Sequence, residues 1–462
     1  MNDAHAVVLG GGLAGTFAAA ALAPHVGGVT VVERDALPDG PRPRRGVPQA
    51  QHLHVLMSGG ARAMDTLLPG TTDRLCARGA HRHGVPEDVV TLSADGWQHR
   101  FPATEYMLTC SRDLIDWTVR EAVLALPEVS VRYGQVDGLV GTAQRIGGVV
   151  VDGETVTADL VVDCTGRGSR VRQWLDLLGA AVPEEEVVDS GLAYSTRVFA
   201  APRGAETGFP VVNLFADYRS GEPGRSASLV PVEHGRWIIS LTGTRGATPP
   251  VDAQCFAEYA ESLRDPLIAR LMRAAEPLTA PQGSRSAANR RLHCGRDDSW
   301  PEGLVVLGDA LVAFNPVYGQ GMSTAARGAL ALSRVLADGA GATVSAQAVQ
   351  RAVDDVVEAP WTTATSQDVR YPHCRTSLVD PAALAPTAEG DRLSRWVGEL
   401  ALRDPVVSEA MTEVITVNST LAVLERPRVA AAMTGAGARP PLHEAPLREP
   451  ELRILDAAPV AR

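Results

Sequence analysis

Residues 6–35 constrain this chain more than any other stretch, because they form a complete strand–helix–strand pattern. The apolar run at 6–9 predicts a buried strand, and the Ala-rich stretch 16–23 predicts a helix. A β-branched run at 29–32 predicts a second strand, which leads directly into Glu33. A glycine-rich turn joins the first strand to the helix, so the segment has the form of a nucleotide-binding βαβ unit.

The turn of this unit has the spacing GxGxxG at Gly10, Gly12 and Gly15, and Glu33 follows 18 residues after the last glycine. The first glycine permits a tight turn, the second lets a pyrophosphate approach the backbone, and the third lets the helix pack on the strand. The helix N-terminus offers amides to the phosphates, and the acid can accept hydrogen bonds from ribose hydroxyls. The unit therefore predicts a dinucleotide site, with candidate contacts at Gly10, Gly12, Leu13, Ala14, Gly15, Glu33 and Arg34.

Composition excludes several other classes of protein. A net charge of −11 argues against a nucleic-acid partner or an anionic membrane surface. The sequence contains no run of 18 apolar residues, so no membrane-spanning helix is predicted. The N-terminus lacks the pattern of a signal peptide. The 6 cysteines are scattered without a CxxC, which predicts free thiols in the cytoplasm and no metal site. All 43 basic residues are arginines, so the chain contains no lysine.

The pattern along the chain predicts an α/β fold with an inserted sheet. We expect a Rossmann-like domain built from residues 1–75, 104–183 and 296–345, and a β-rich substrate domain from 76–103 and 184–295. Residues 346–434 are expected to form C-terminal helices, and the Pro-rich tail 435–462 is expected to be poorly ordered. A further helix is predicted over 51–68. The oligomeric state stays open.

Two further fingerprints follow the first in chain order. The second fingerprint is the stretch DCTG at 163–166, at the end of a predicted strand. The third combines the GD pair at 308–309 with Pro316 and the GQG stretch at 319–321, at the start of a predicted helix. Together the three resemble the single-component FAD-dependent monooxygenases of the aromatic-hydroxylase type. A narrower similarity, to the flavin epoxidases of polyether-ionophore biosynthesis, is found at 44–49 with His52 and His54, and at 95–103, 159–170 and 283–292.

This resemblance implies FAD as cofactor and assigns further candidate contacts. Asp309 would accept from ribityl hydroxyls, Pro316 would lie against the flavin ring, and the amides of 319–322 would face its N1/O2 edge. Arg44 and Arg112 would reach the pyrophosphate or ribose, although surface arginines are the plain alternative. These candidates are Arg44, Arg112, Val136 (by a backbone contact to adenine), Asp309, Pro316, Gly319, Gly321 and Met322. His52 and His54 are either contacts of flavin or substrate, or capped and solvated histidines.

The resemblance also implies a reaction. NADH, NADPH or a partner flavin reductase would reduce FAD, and O2 would form a C4a-hydroperoxide that epoxidises the alkenes of a linear polyene polyketide, free or carrier-bound. Epoxidation needs no deprotonation of the substrate, so no catalytic base is assigned. We expect a dry, apolar pocket between the β insertion and the flavin. Its candidate lining residues are Tyr194, Phe215, Leu229, Trp237, Ile239, Phe314 and Tyr318.

Four other functions are compatible with parts of the pattern. An aromatic hydroxylase acting on a polyketide or other secondary metabolite is the main alternative. A flavin-dependent halogenase is disfavoured, because the chain has neither a lysine nor the WxWxIP motif of that family. A reductase of the geranylgeranyl type has similar fingerprints but would not consume oxygen. A non-enzymatic FAD-binding protein would keep Glu33 and Asp309 but would not oxidise NAD(P)H.

Overall fold

A parallel sheet, formed by the most aliphatic runs of the sequence, organises the structure. The computed structural model describes residues 3–285, 288–296, 299–339, 345–378 and 387–456. Residues 286–287, inside one of the stretches that resemble the epoxidases, and 457–462, the end of the expected tail, lie outside the described residues.

The strands of the first half of the chain alternate with short turns and a few helices. In chain order they are β1 (His5–Leu9), β2 (Gly28–Glu33), β3 (Val55–Met57), β4 (His81–Val85), β5 (Val89–Ser93), β6 (Gly96–Trp97), β7 (Glu105–Thr109), β8 (Val129–Tyr133), β9 (Val136–Gly141), β10 (Ile146–Val151), β11 (Glu154–Thr157) and β12 (Leu160–Asp163).

The strands of the second half include the longest ones. They are β13 (Glu185–Asp189), β14 (Ala193–Ala200), β15 (Val211–Leu214), β16 (Arg225–Val232), β17 (Arg236–Gly243), β18 (Glu276–Pro277), β19 (Gln282–Ser284), β20 (Asn289–Leu292), β21 (Leu304–Val306), β22 (Val312–Ala313) and β23 (Arg375–Thr376).

The helices become longer towards the C-terminus. They are α1 (Leu13–Leu22), α2 (Ser58–Leu67), α3 (Thr71–Ala77), α4 (Arg112–Leu124), α5 (Val171–Leu177), α6 (Ala253–Glu261), α7 (Leu267–Ala274), α8 (Gly321–Asp338), α9 (Ala346–Asp368), α10 (Ala388–Arg403), α11 (Pro405–Ile415), α12 (Pro427–Ala432) and α13 (Glu449–Asp456). Short 3-10 turns include Gly308–Ala310, Pro316–Tyr318 and Leu421–Glu425.

The central sheet has the order β21-β12-β1-β2-β8, and every neighbouring pair in it is parallel. Its middle strands are aliphatic along their length, because a parallel sheet is covered on both faces. The carboxyl ends of β1, β12 and β21 lie side by side and lead into the three glycine-containing fingerprints. Together with the antiparallel sheets below, this arrangement confirms the predicted mixed α/β fold class.

The largest sheet comes mainly from the inserted segment. Its order is β18-β14-β17-β16-β15-β5-β6, with β19 also paired to β14. The pairs are antiparallel except for β15 and β5, which run parallel. One face packs against α6 and α7 in an apolar core that includes Phe256, Leu267 and Leu271. Smaller sheets, β22-β20-β13-β23 and β3-β7-β4, connect this region to the dinucleotide unit.

Two local predictions differ from the structure. The helix predicted over 51–68 begins only at Ser58, because residues 55–57 pair as β3 with β7. The tail expected to be poorly ordered is folded as far as residue 456: Leu442 bridges to Trp97, and Leu455 is buried in the core of the large sheet. Arg100 and Glu451 form a buried ion pair at 2.7 Å. These contacts join parts of the chain that are distant in sequence, so local composition could not indicate them.

The proposed domain boundaries stay a prediction, but the core of the dinucleotide unit extends beyond residue 345. Val349, Val353, Val357 and Trp361 of α9 belong to the same apolar cluster as β1 and α1. Among the described residues, no helix combines the length and the apolar character that a bilayer crossing requires.

Candidate functional site

The first glycine turn has the geometry that its spacing predicts. Gly10 has φ +94°, and its amide donates to the Val32 carbonyl at 2.8 Å. A Cβ at Gly15 would lie 1.8 Å from the Gly10 carbonyl oxygen, so Gly15 is required for the close packing of α1 on β1. A Cβ at Gly12 would meet no atom within 4 Å, and Gly12 lines a large cavity. The turn therefore leaves open space at the N-terminus of α1, where a phosphate group can approach the amides.

Glu33 and Arg44 form a buried ion pair beside this turn. Arg44 Nη2 lies 2.7 Å from Glu33 Oε2, which also accepts from the Gly11 amide at 2.9 Å. Arg44 Nη1 donates to the Gly11 carbonyl at 2.8 Å. We expected both side chains to contact the cofactor separately, whereas the structure pairs them and lets both line the cavity. Within the described part of the chain, Arg44 Nε and Asp35 Oδ2 are buried without a hydrogen-bond partner.

The third fingerprint brings a second helix N-terminus to the same cavity. Asp309 lies in the turn after β21, half-exposed, with Oδ2 4.0 Å from Arg167 Nε. Pro316 begins a 3-10 turn that ends at Gly319, whose φ is +64°. A Cβ at Gly321, the first residue of α8, would meet no atom within 4 Å. Asp309, Pro316, Gly319, Gly321 and Met322 all line the cavity.

A buried carboxylate holds the loop between Asn315 and Tyr318 in place. Asp368 accepts from Asn289 Nδ2 at 2.8 Å, from Asn315 Nδ2 at 2.8 Å, from the Tyr318 hydroxyl at 2.9 Å and from the Ser190 hydroxyl at 3.1 Å. Burial raises the pKa of Asp368, and these hydrogen bonds oppose that rise. An acid at the C-terminus of α9 does not stabilise the helix dipole, so its position serves the loop.

The histidines and Arg112 lie together on one side of the cavity. His52 is buried, with Nδ1 2.9 Å from the Thr196 hydroxyl, and its ring meets Tyr194 edge-on. His54 Nδ1 donates to the His52 carbonyl at 2.9 Å, which leaves Nε2 as the acceptor. Burial lowers the pKa of His52 to about 4, and burial together with the Arg112 charge lowers that of His54 to about 3. Both rings are therefore neutral at pH 7.

Arg112 and Val136 complete the set of predicted cofactor residues. Arg112 Nε donates to Asp116 Oδ1 at 2.7 Å, one turn along α4, and the side chain is buried. Val136 opens β9 next to Gln135, and both line the cavity. Among all the predicted cofactor residues, only Gly15 does not line it, because Gly15 packs against the backbone of Gly10. That these residues contact a cofactor stays a prediction.

Three of the predicted pocket residues lie elsewhere. Tyr194, Phe215, Phe314 and Tyr318 line the cavity as expected. Leu229, Trp237 and Ile239 are fully buried on the other face of the large sheet, in the core with α6 and α7. Successive residues of a strand point to opposite faces, so the prediction chose the wrong phase of β16 and β17.

The cavity face of these strands carries polar side chains beside apolar ones such as Val89, Val211 and Val230, so the expected apolar pocket also has a polar part. The residues that we missed are Thr91, Asn213, Ser226, Ser228, Ser240 and Thr242. They alternate with the core residues along β5, β15, β16 and β17, and this alternation was the available signal. A second missed part of the lining is aliphatic and comes from α10, α11 and the following turn: Leu393, Val397, Leu402, Met411, Val414, Ile415, Leu421 and Leu424.

All these parts enclose one continuous cavity of about 1700 Å³. Small-molecule sites usually measure about 300–1,000 Å³, so this cavity has room for a cofactor and a second ligand together. It extends from the two helix N-termini, along the polar sheet face, to the C-terminal helices. The dinucleotide-type turn and the sheet face therefore border one chamber, which has room for a dinucleotide and a further ligand.

The comparison with known proteins identifies the family. Residues 3–356 match the FAD binding domain family, and the chain belongs to it. The chain is 32% identical over 348 residues to "Protein Rv3254" of Mycobacterium tuberculosis, covering 72% of this chain and 73% of that one. It is 29% identical over 391 residues to a kynurenine 3-monooxygenase of Salinispora tropica, covering 79% and 80%.

Solved structures show the same fold at low identity. The flavin-dependent brominase Bmp2 has a TM-score of 0.67 at 14% identity, covering 94% of this chain and 98% of that one. The protein is therefore an enzyme of the flavin monooxygenase class, with FAD as cofactor and NAD(P)H and O2 as co-substrates.

The residues present fit FAD. Space is open at Gly12 and Gly321, the first and third fingerprints, so that the N-termini of α1 and α8 both face the cavity. Among the described residues, Arg44 Nε is buried and unpartnered beside Glu33 and the glycine turn, where a ribose or phosphate oxygen could accept a hydrogen bond from it. These groups would hold the pyrophosphate and the flavin end through backbone amides, which bind anionic groups without needing a lysine.

Proposed function

We propose that this monooxygenase transfers one oxygen atom to an electron-rich carbon–carbon double bond of a large, uncharged polyketide, and that the reaction is the epoxidation of alkenes in a linear polyene during polyether biosynthesis. The observation that supports this proposal best is the single long cavity, which continues from the flavin fingerprints to the aliphatic side chains of α10 and α11. An extended substrate can pass its double bonds along such a chamber.

The chain's own residues have three tasks in this reaction. The amides at the starts of α1 and α8, together with Asp309, bind and orient the cofactor. Bound FAD supplies the reduction and activation of O2. The network around Asp368 fixes the loop 315–318 beside the reacting region.

The neutral state of His52 and His54 is compatible with epoxidation. Transfer of an electrophilic oxygen to an alkene requires no proton from the substrate, so weakly basic imidazoles are sufficient. Their hydrogen bonds to Thr196 and to the His52 carbonyl orient the rings at the cavity wall. In this proposal both histidines shape the chamber and transfer no proton.

Hydroxylation of an aromatic polyketide or another secondary metabolite is the second candidate. It is favoured by the similarity to a protein named kynurenine 3-monooxygenase. A base that accepts the phenol proton makes the ring carbon more nucleophilic, and His52 lines the cavity, although its pKa of about 4 makes it a weak base. The two candidates therefore differ in whether His52 takes part in proton transfer.

One experiment separates the candidates. Purified, FAD-loaded enzyme is incubated under ¹⁸O₂ with NADPH or NADH, and either a linear polyene ester or a polycyclic phenol is added. A gain of one labelled oxygen per reacting alkene, without reaction of the phenol, supports the epoxidase. A labelled hydroxyl on the phenol, with an unreacted polyene, supports the hydroxylase. The control is Gly12→Glu, which places a carboxylate in the open space at α1 and should abolish FAD binding and both products.

A further inference from the structure

The face of the large sheet that borders the cavity has an ordered distribution of side chains. Nearest to β3 and β7, its residues are aliphatic: Val89, Val211, Val230 and Ile238 pack with Met57 and Met107. Further along the same strands and on the same face, the residues become polar and uncharged. Both parts border the chamber: Val89, Val211 and Val230 line its aliphatic end, and the polar residues continue the same wall.

The first polar row crosses six strands in direct register. Its residues, each paired with the next, are Thr91, Asn213, Ser228, Ser240, Thr196 and Gln282. All of them except Thr196 line the cavity. Hydrogen bonds connect part of the row: the Ser228 hydroxyl donates to Asn213 Oδ1 at 2.8 Å, and the hydroxyls of Thr196 and Ser240 are bonded to each other. The row is therefore a line of hydroxyl and amide groups in which the members of two neighbouring pairs are hydrogen-bonded to each other.

The second row lies next to the first and has the same character. Ser226 pairs with Thr242, Thr242 with Tyr194, and Tyr194 with Ser284, and all four line the cavity. No member of either row is charged. Within the described part of the chain, the side chains of Gln282 and Ser284 and the Asn213 amide nitrogen have no hydrogen-bond partner in the protein. These groups are available to a bound molecule.

Two charged residues of the same lining, Asp95 and Arg370, form ion pairs. Asp95 is bonded to Arg219 at 2.6 Å, and Arg370 is bonded to Asp391 at 2.6 Å. A charged ligand at the sheet face would have to compete with these internal partners. A hydrocarbon at the same place would leave the side chains of Gln282 and Ser284 and the Asn213 amide nitrogen without a partner, which is costly where water is displaced.

We infer that the two polar rows form the substrate-recognition wall, and that they bind a neutral substrate with several hydroxyl or carbonyl oxygens along one edge. The hydrocarbon part of the same molecule lies against the aliphatic side chains of α10 and α11. This inference rests on the proposed function, because it places the substrate in the chamber that is proposed to hold FAD. It narrows the substrate class from a polyene or an arene in general to an oxygen-rich one.

The test measures binding separately from turnover. FAD-loaded enzyme is titrated without reductant, and the perturbation of the flavin absorbance reports the Kd for two matched pairs of probes. One pair is a linear polyene ester with and without hydroxyl groups, and the other is trihydroxyanthraquinone and anthracene. We expect the oxygenated member of at least one pair to bind at least tenfold more tightly than its hydrocarbon counterpart.

Two variants locate the preference on the wall. Thr242→Val and Asn213→Leu remove polar groups from the rows with little change of shape, and we expect each to reduce the preference by at least fivefold. Thr157→Val, on the exposed strand β11, is the matched control and should leave the preference unchanged. The inference would be overturned if the two members of each pair bound equally, if the hydrocarbons bound more tightly or if no probe bound. It would also be overturned if both variants kept the preference of the wild type.

The proposed function is judged on different data from the same samples. Addition of NADPH and ¹⁸O₂ shows whether a bound probe is oxygenated. A tenfold preference without labelled product supports the wall and contradicts the assigned reaction, whereas labelled product without a preference contradicts the wall alone.

Discussion

The two faces of the large sheet are built from alternate residues of the same strands, yet they have opposite chemistry. Along β17, Trp237, Ile239 and Leu241 point into the core with α6 and α7, whereas Ser240 and Thr242 point into the cavity. The core face is apolar along its length, whereas the cavity face is apolar only at one end, where Val230 and Ile238 pack with Met57 and Met107. The comparison shows that one strand can contribute to the core with one face and provide polar groups to a cavity with part of the other.

The largest expected effect comes from the core face. Trp237→Ala should lower the free energy of unfolding by about 3–5 kcal/mol, because it empties a fully buried site in contact with Phe209. Ser240→Ala, on the cavity face of the same strand, should lower the free energy of unfolding by about 1 kcal/mol or less. Urea denaturation of the two holoenzymes measures the contrast. Similar losses for both variants would mean that the cavity face is also structural.

Asp368 provides a polar counterpart to Trp237, because it is fully enclosed and stabilises a loop at the cavity. Asp368→Ala removes the acceptor of Asn289, Asn315 and Tyr318, and we expect a loss of about 3 kcal/mol of stability together with weaker FAD binding. Flavin fluorescence during dilution measures the affinity. Asp456→Asn, at an exposed helix end, is the control. Unchanged FAD affinity in Asp368→Ala would show that the loop holds its conformation without this carboxylate.

A smaller effect concerns the pH dependence of stability. The pKa of His52 is lowered to about 4 in the folded protein, below the value of about 6.5 in the unfolded chain. The unfolded state therefore binds more protons between these values, and stability decreases as the pH falls from about 6.5 to 4. His52→Gln should remove about 2 kcal/mol of the loss between pH 7 and pH 5. Denaturation curves at the two pH values, compared with those of His443→Gln at an exposed site, measure it; parallel curves would refute the assignment to His52.

The dinucleotide part of the site was predictable from sequence because its geometry depends on backbone spacing. Gly10, Gly12 and Gly15 lie within six residues, and Glu33 ends the next strand, so a local pattern determines their relative positions. The pairing of Glu33 with Arg44 was not predictable in the same way, because Arg44 reaches the turn from an irregular loop.

The substrate part was harder to predict for a physical reason. Most residues on both faces of β16 and β17 are buried, one face in the core and the other at the cavity wall. An apolar or small side chain at a given position therefore does not indicate which of the two faces that position belongs to. The bulky Trp237 was assigned to the pocket, although a large apolar ring is better accommodated in the core. The serines of the opposite phase were the correct signal, because nothing in the core required them.

The aliphatic lining from α10 and α11 belongs to helices with an apolar cluster of their own, which includes Val397, Leu400, Ala401 and Val407. This cluster is separate from the core behind the sheet. We expect substitutions there to change the shape of the chamber more than the packing of the sheet or of the dinucleotide turn. The part of the protein that shapes the substrate space can then vary while the part that binds the cofactor stays the same.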